Sequence, residues 1–127
     1  MKRSRWFRQA GQAAWMMGVL NCTPDSFSDG GRFTDVKKAI QQGIDMHRLG
    51  ATIIDVGGES TRPGAQIVSL EDELQRVIPV VEGLAKAACP VSIDTRKSAV
   101  MQAAVKAGAC MINDVTALSF DEDSLQV

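Results

Sequence analysis

Ala51-Thr52-Ile53-Ile54-Asp55-Val56-Gly57-Gly58-Glu59-Ser60-Thr61-Arg62-Pro63-Gly64 is the stretch on which the reading of the chain turns. From Ala51 to Val56 it is an apolar run rich in β-branched residues and ending in a carboxylate at Asp55, as a buried strand of a parallel sheet reads. A loop with two adjacent glycines follows, from Gly57 to Val68. On either side the pattern changes to helical spacing. Upstream, Val36, Ile40, Gly43, Ile44 and His47 form one stripe of a helix over 35–49, with Asp35 placed to cap it. Downstream, Leu70, Leu74, Val77, Ile78, Val81 and Leu84 mark a second helix, which Ser69 and Asp72 open in the manner of a capping box and which Pro79 should kink.

Moving outward, the same alternation recurs. Strands are predicted at 15–20, 51–56, 91–94 and 110–113, with a third helix over 97–107 closed by Gly108 and a short helix beginning near Asp121. Strand–helix alternation of this kind specifies an α/β fold with a parallel sheet. Asn21, Asp55, Asp94 and Asn113 each end an apolar run with a polar side chain. In a β/α barrel such ends gather at one mouth, and in a doubly wound open sheet they also border the ligand crevice. No GxGxxG stands at a strand-to-helix turn, so a dinucleotide site has no support.

Composition narrows the function classes. A content of 45% hydrophobic and 23% charged residues over 127 positions fits a globular domain rather than a disordered segment. A formal charge of −1 offers no general attraction to nucleic acid or to an acidic membrane surface. Cys22, Cys89 and Cys110 are odd in number and contain no CxxC pair, which speaks against a disulfide framework or structural zinc and for reduced core cysteines in the cytoplasm. Lys2, Arg3, Arg5 and Arg8 ahead of the apolar Ala13–Leu20 run imitate an export signal, but the run is too short to span a bilayer. Residues 1–14 are therefore expected to be a basic tail and 15–127 the domain.

Three blocks carry more information than periodicity: Asn21-Cys22-Thr23-Pro24-Asp25-Ser26-Phe27-Ser28-Asp29-Gly30-Gly31, then Asp55 to Gly64 as quoted above, then Ser92-Ile93-Asp94-Thr95. Together with Asn113-Asp114 they resemble, in order and spacing, the signature blocks of the dihydropteroate synthases, a pterin-binding family of (β/α)8 TIM barrels. The resemblance runs from about Met16 to Ser119. It implies about the first four β/α units of such a barrel, and a reaction in which p-aminobenzoate displaces pyrophosphate from 6-hydroxymethyl-7,8-dihydropterin pyrophosphate.

The resemblance also assigns roles. Asp94 and Asn113 correspond to pterin contacts, a carboxylate and an amide suited to the hydrogen-bonding edge of the ring; the lesser alternative for Asp94 is a cap for the third helix, which Thr95 or Ser98 could supply equally well. Asp55 corresponds to the floor of the pterin pocket, with a structural carboxylate as the alternative. Asn21 corresponds to a ligand of Mg²⁺ on the pyrophosphate, chemically reasonable for a hard cation that keeps several waters, or else to a strand-end turn. Phe27, Thr61, Arg62 and Pro63 would shape the p-aminobenzoate pocket. Asp29 and Arg62 would stabilise the developing pterin cation and the leaving pyrophosphate. His47, the only histidine, reads as a packing residue.

A complete barrel takes about 250 residues and eight strands, and the family's later Asp, Lys and Arg–His site residues have no counterpart in these 127 positions. The chain taken alone is accordingly expected to be inactive. The family implies a homodimer for the full-length protein, and a complementary C-terminal half would be a partner for this one. Two competing readings remain at this level. One is a methyltetrahydrofolate-binding methyltransferase, which shares the Asp and Asn contacts but not the two loops; the other is a non-catalytic pterin-binding half barrel.

Overall fold

The computed structural model describes residues 14–23 and 31–127, without the side chains of Arg32 and Phe33. The basic tail expected at 1–14 therefore lies, up to residue 13, outside the described residues, as do Phe27 and Asp29. The elements alternate strictly: β1 Met17–Asn21, α1 Gly31–Arg48, β2 Ile53–Gly57, α2 Leu70–Lys86, β3 Val91–Asp94, α3 Ser98–Ala107, β4 Met111–Asn113, and a closing 3₁₀ helix, Glu122–Gln126. The strands form one parallel sheet in the order β1-β2-β3-β4 among the described residues. Sequential order without a reversal is the barrel's arrangement. A doubly wound sheet turns back at a switch point, and none is present among these strands.

Packing follows from the two-residue alternation of strands. Leu20, Ile54, Val56, Val91 and Ile93 are buried against a helix layer in which α2 packs between α1 and α3. On the opposite face the outer strand is open, with Met17 and Val19 exposed. The helices approach each other through glycines. A methyl group on Gly83 of α2 would stand 2.3 Å from Ile40 of α1, and one on Gly43 would stand 2.6 Å from Leu84, so each helix accepts a side chain of the other where it has none itself. Ser69 caps α2 by accepting the Asp72 amide, as its spacing predicts, and Gly108 closes α3 in the left-handed conformation (φ 117°).

Several boundaries differ from the sequence reading. Helix α1 starts at Gly31, ahead of Asp35, so Asp35 lies inside it and does not cap it; Gly31 itself, at φ +71°, makes the turn into the helix. Strand β2 continues through Gly57, which puts Asp55 in its middle, not at its end. Cys22 and Cys89 are core residues, and burial pushes the Cys22 thiol up to about 12. Cys110, by contrast, is exposed and precedes β4, with its thiol turned back to the Val91 carbonyl. The stripe of α2 is also displaced: Leu70 is 42% exposed, while Glu73, Val77, Val80, Val81 and Leu84 are buried.

Candidate functional site

The strand register aligns the polar ends. Asn21 pairs with Gly57, Gly57 with Asp94, and Asp94 with Asn113, so these four form one row across the C-terminal edge of the sheet. Two residues back, on the same face, Asp55 pairs with Val19 and Ser92. The four predicted site residues on strands thus converge on one face, with Asp55 one layer beneath the others.

The polar groups of this row lie on the sheet face opposite the helix layer and have few partners. Asn113 donates its Nδ2 to Asp55 Oδ2 at 3.0 Å. A carboxylate in that position can only accept, so the bond fixes which way the amide points and leaves the Asn113 carbonyl oxygen free of it. The other Asp55 oxygen, Oδ1, and the Ser92 hydroxyl beside it are buried without a hydrogen-bond partner among the described residues. Asp94 is half-buried, and its carboxylate accepts no hydrogen bond from any described residue. Desolvation raises its pKa from 3.8 to about 6, helped by the charges of Asp55, Asp114 and Glu73. Asn21 is exposed at the far end of the row. The row as a whole presents acceptors and asks for donors.

Asp94 does not cap α3. That helix start is held by Thr95 Oγ1, which accepts the Lys97 amide at 3.2 Å, and by Asp121 Oδ2, which accepts the Ser98 amide at 2.8 Å. Asp114 is occupied with its own loop, accepting from Thr116 and from the Leu118 amide. His47 bonds the Ala51 carbonyl at 2.8 Å at the opposite end of β2, away from the row.

The β2–α2 loop divides its predicted residues. Thr61 lines the same narrow cleft as Asp94, Thr95, Arg96 and Asp114. Arg62 and Pro63 are exposed and line an adjoining, wider opening with Thr23, Asp72 and Arg76. Asp29 and Phe27, expected opposite them, lie outside the described residues.

Four charged residues at the root of this loop escape the sequence reading. Lys97 Nζ lies between Glu59 Oε2, at 3.2 Å, and Glu73 Oε2, at 2.5 Å. Arg96 Nε donates to Glu59 Oε1 at 3.0 Å, its guanidinium 4.2 Å above the Phe120 ring. Thr95 Oγ1 donates to Glu73 Oε1, the Val68 amide to Glu59, and Arg76 to the Gly58 carbonyl. Burial acts to raise the Glu59 pKa, but the Val68 amide, Lys97 and Arg96 outweigh it and hold the carboxyl below its usual range. The signal is present in the spacing. Glu73 stands one helical turn before Val77 and three before Leu84, on the buried stripe of α2.

No group of three or more His, Cys, Asp or Glu residues suited to a metal is found among the described residues. Nor is any helix among them long and apolar enough to cross a membrane.

Comparisons with known proteins agree with this geometry. The sequence family described as pterin binding enzyme matches residues 17–127. A dihydropteroate synthase of Synechocystis sp. is 48% identical over 118 residues, which are 92% of this chain and 41% of that protein. Among solved structures, Xanthomonas albilineans dihydropteroate synthase with 4-aminobenzoic acid superposes with a TM-score of 0.83 at 53% identity, covering 91% of this chain and 43% of that one. The same enzyme in complex with 7,8-dihydropteroate gives 0.78 at 48% identity, covering 91% and 41%. The chain thus spans about two fifths of the length of these relatives. With residues 17–127 matched and the acceptor row in place at the sheet edge, the chain belongs to the family of pterin binding enzymes.

Proposed function

We propose that this chain supplies the pterin-gripping part of a dihydropteroate synthase site. The observation that carries the reading is the row of unmet acceptors: Asp94 without a donor, and Asn113 oriented by Asp55. A pterin offers N–H groups along its aminopyrimidine edge. A carboxylate that accepts two of them at once gains charge-assisted bonds in place of the water it has lost. Asn113 then accepts one more, while Asp55 keeps its amide from turning.

Asn21, exposed at the far end of the row, carries an amide oxygen that fits Mg²⁺ on the pyrophosphate, since the ion takes hard oxygen donors and completes its shell with phosphate and water. That ion would neutralise charge on the leaving group. Thr61, at the mouth of the Asp94 cleft, and Arg62 and Pro63, in the adjoining opening, would receive p-aminobenzoate together with Phe27, and Arg62 and Asp29 would steady the charges that separate. The carbon–oxygen bond to pyrophosphate breaks, the arylamine nitrogen bonds to the same carbon, and the amine proton leaves to solvent. No covalent enzyme intermediate is required. The family readings of a cytoplasmic location, a homodimeric full-length protein and a complementary C-terminal half as partner belong to the same proposal.

A chimaera tests it: this chain replaces the aligned segment of the Synechocystis relative, and the purified protein is assayed for condensation of the pterin pyrophosphate with p-aminobenzoate. Turnover within roughly tenfold of the parent is expected, with none from the 127-residue chain alone. A folded chimaera without turnover would remove the assignment.

A further inference from the structure

Glu73 is a carboxylate whose side chain is 1% exposed, on a helix that otherwise buries only apolar side chains, and nothing in the proposed chemistry uses it. Its partners explain its presence. Thr95 and Lys97 both belong to the turn that follows Asp94, and Lys97 reaches on to Glu59, the residue from which the β2–α2 loop departs. Glu59 in turn holds the far end of that loop by accepting the Val68 amide at 2.9 Å. The two ends of an excursion nine residues long are therefore closed by one carboxylate, and that carboxylate is fixed by cations from the next β/α turn. Two acids and two bases balance within the cluster.

We propose that Lys97 is a positioning residue for the β2–α2 loop: its ammonium, shared by Glu59 and the buried Glu73, ties the root of the Thr61–Arg62–Pro63 segment to the turn beside Asp94. The proposal rests on the reading of that segment as the second-substrate loop. The order of assembly follows from the contacts. Glu73 is set by helix packing, Lys97 by Glu73, Glu59 by Lys97 and Arg96, and the loop by Glu59. The pterin row depends on strand register and stands outside this chain of contacts.

Removing Lys97 alone leaves Glu73 buried without a cation, with only the Thr95 hydroxyl to offset its charge, which threatens the fold. The test therefore uses Lys97→Met combined with Glu73→Gln, which keeps an amide oxygen to accept from Thr95, and separately Glu59→Gln. Two measurements are made. In the 127-residue chain, amide hydrogen exchange of Val68 and its loop neighbours is expected to rise about tenfold or more while amides inside β3 and α2 keep their protection. In the chimaera, KM for p-aminobenzoate is expected to rise roughly tenfold with KM for the pterin substrate within about twofold. A merely structural role would lower the folded fraction without separating the two KM values. Unchanged loop exchange in folded variants, or equal shifts in both KM values, overturns the proposal. Should the unmodified chimaera itself be inactive, the substrate reading fails, and amide exchange still decides the role of Lys97 in holding the loop.

Discussion

Asp55 and Asp94 in the strand row, and Glu59 and Glu73 at the root of the β2–α2 loop, are four carboxylates drawn wholly or partly away from water, and they are wired in opposite ways. The glutamates meet Lys97, Arg96, Thr95 and a backbone amide. The aspartates receive one amide hydrogen from Asn113 and no cation among the described residues. Desolvation is costly for any charge and is tolerated where donors offset it. In the glutamate cluster the protein supplies those donors itself. In the aspartate row they are absent, which is the condition of a site that waits for a ligand to bring them. The two acids titrate accordingly: Glu59 is held below its ordinary range and Asp94 is raised to about 6.

The strongest way to break this contrast is to make the first cluster resemble the second. Lys97→Met strips the cation from buried Glu73, and a loss of about 3–5 kcal/mol in denaturant unfolding is expected, a large share of a domain's stability. A loss below about 1 kcal/mol would mean that the cluster is no tighter than a surface ion pair. Next in size is Asp94→Asn in the chimaera. Under the proposed pterin contact, its loss is expected to weaken pterin binding by about 1.5–3 kcal/mol, or roughly ten- to a hundredfold, as read by titration calorimetry.

The same substitution sharpens the comparison in the opposite direction for stability. Because the folded-state pKa of Asp94, about 6, lies above its ordinary value of 3.8, its ionisation opposes folding: the penalty is absent below the ordinary value, grows between the two, and is complete above the folded one. Asp94→Asn should therefore stabilise the chain at about pH 7 by on the order of 1 kcal/mol, allowing for its half-exposed position, with the gain vanishing near about pH 4. Glu59 works with the reverse sign. Its contribution is present above its ordinary value of 4.5 and is lost as pH falls further. Denaturation curves of Asp94→Asn and Glu59→Gln taken across about pH 3–7 should diverge in these two directions. The smallest expected effect is at the helix that links the clusters. Asp121→Ala removes the acceptor of the Ser98 amide and should lower the midpoint of thermal unfolding only slightly.

The aspartate row is legible in the sequence because each member ends a run of apolar residues. Asn21, Asp94 and Asn113 stand where that rule puts them. Asp55 falls on the expected face but one layer lower than the rule places it, since Gly57 carries no hydrophobic signal and yet pairs with both Asn21 and Asp94. The glutamate cluster is not legible in the same way. Its members come from a loop, a helix and a turn, and nothing local marks Glu73 as buried except its spacing from Val77 and Leu84. A charged residue on an apolar stripe is ordinarily taken as the edge of that stripe, and only the tertiary partners Thr95 and Lys97 reverse that. Cys110 and the start of α1 depart from expectation for a simpler reason: composition alone does not say where a strand begins or where a glycine turns into a helix.

The bond from Asp121 to the Ser98 amide spans 23 residues, from the segment after β4 back to the first turn of α3. Most helix starts are capped from within a residue or two and reveal nothing about distant chain. Here a single backbone proton senses whether the C-terminal segment is docked. Its resonance, followed by NMR during unfolding, would act as a built-in gauge of that docking, separate from the melting of the sheet.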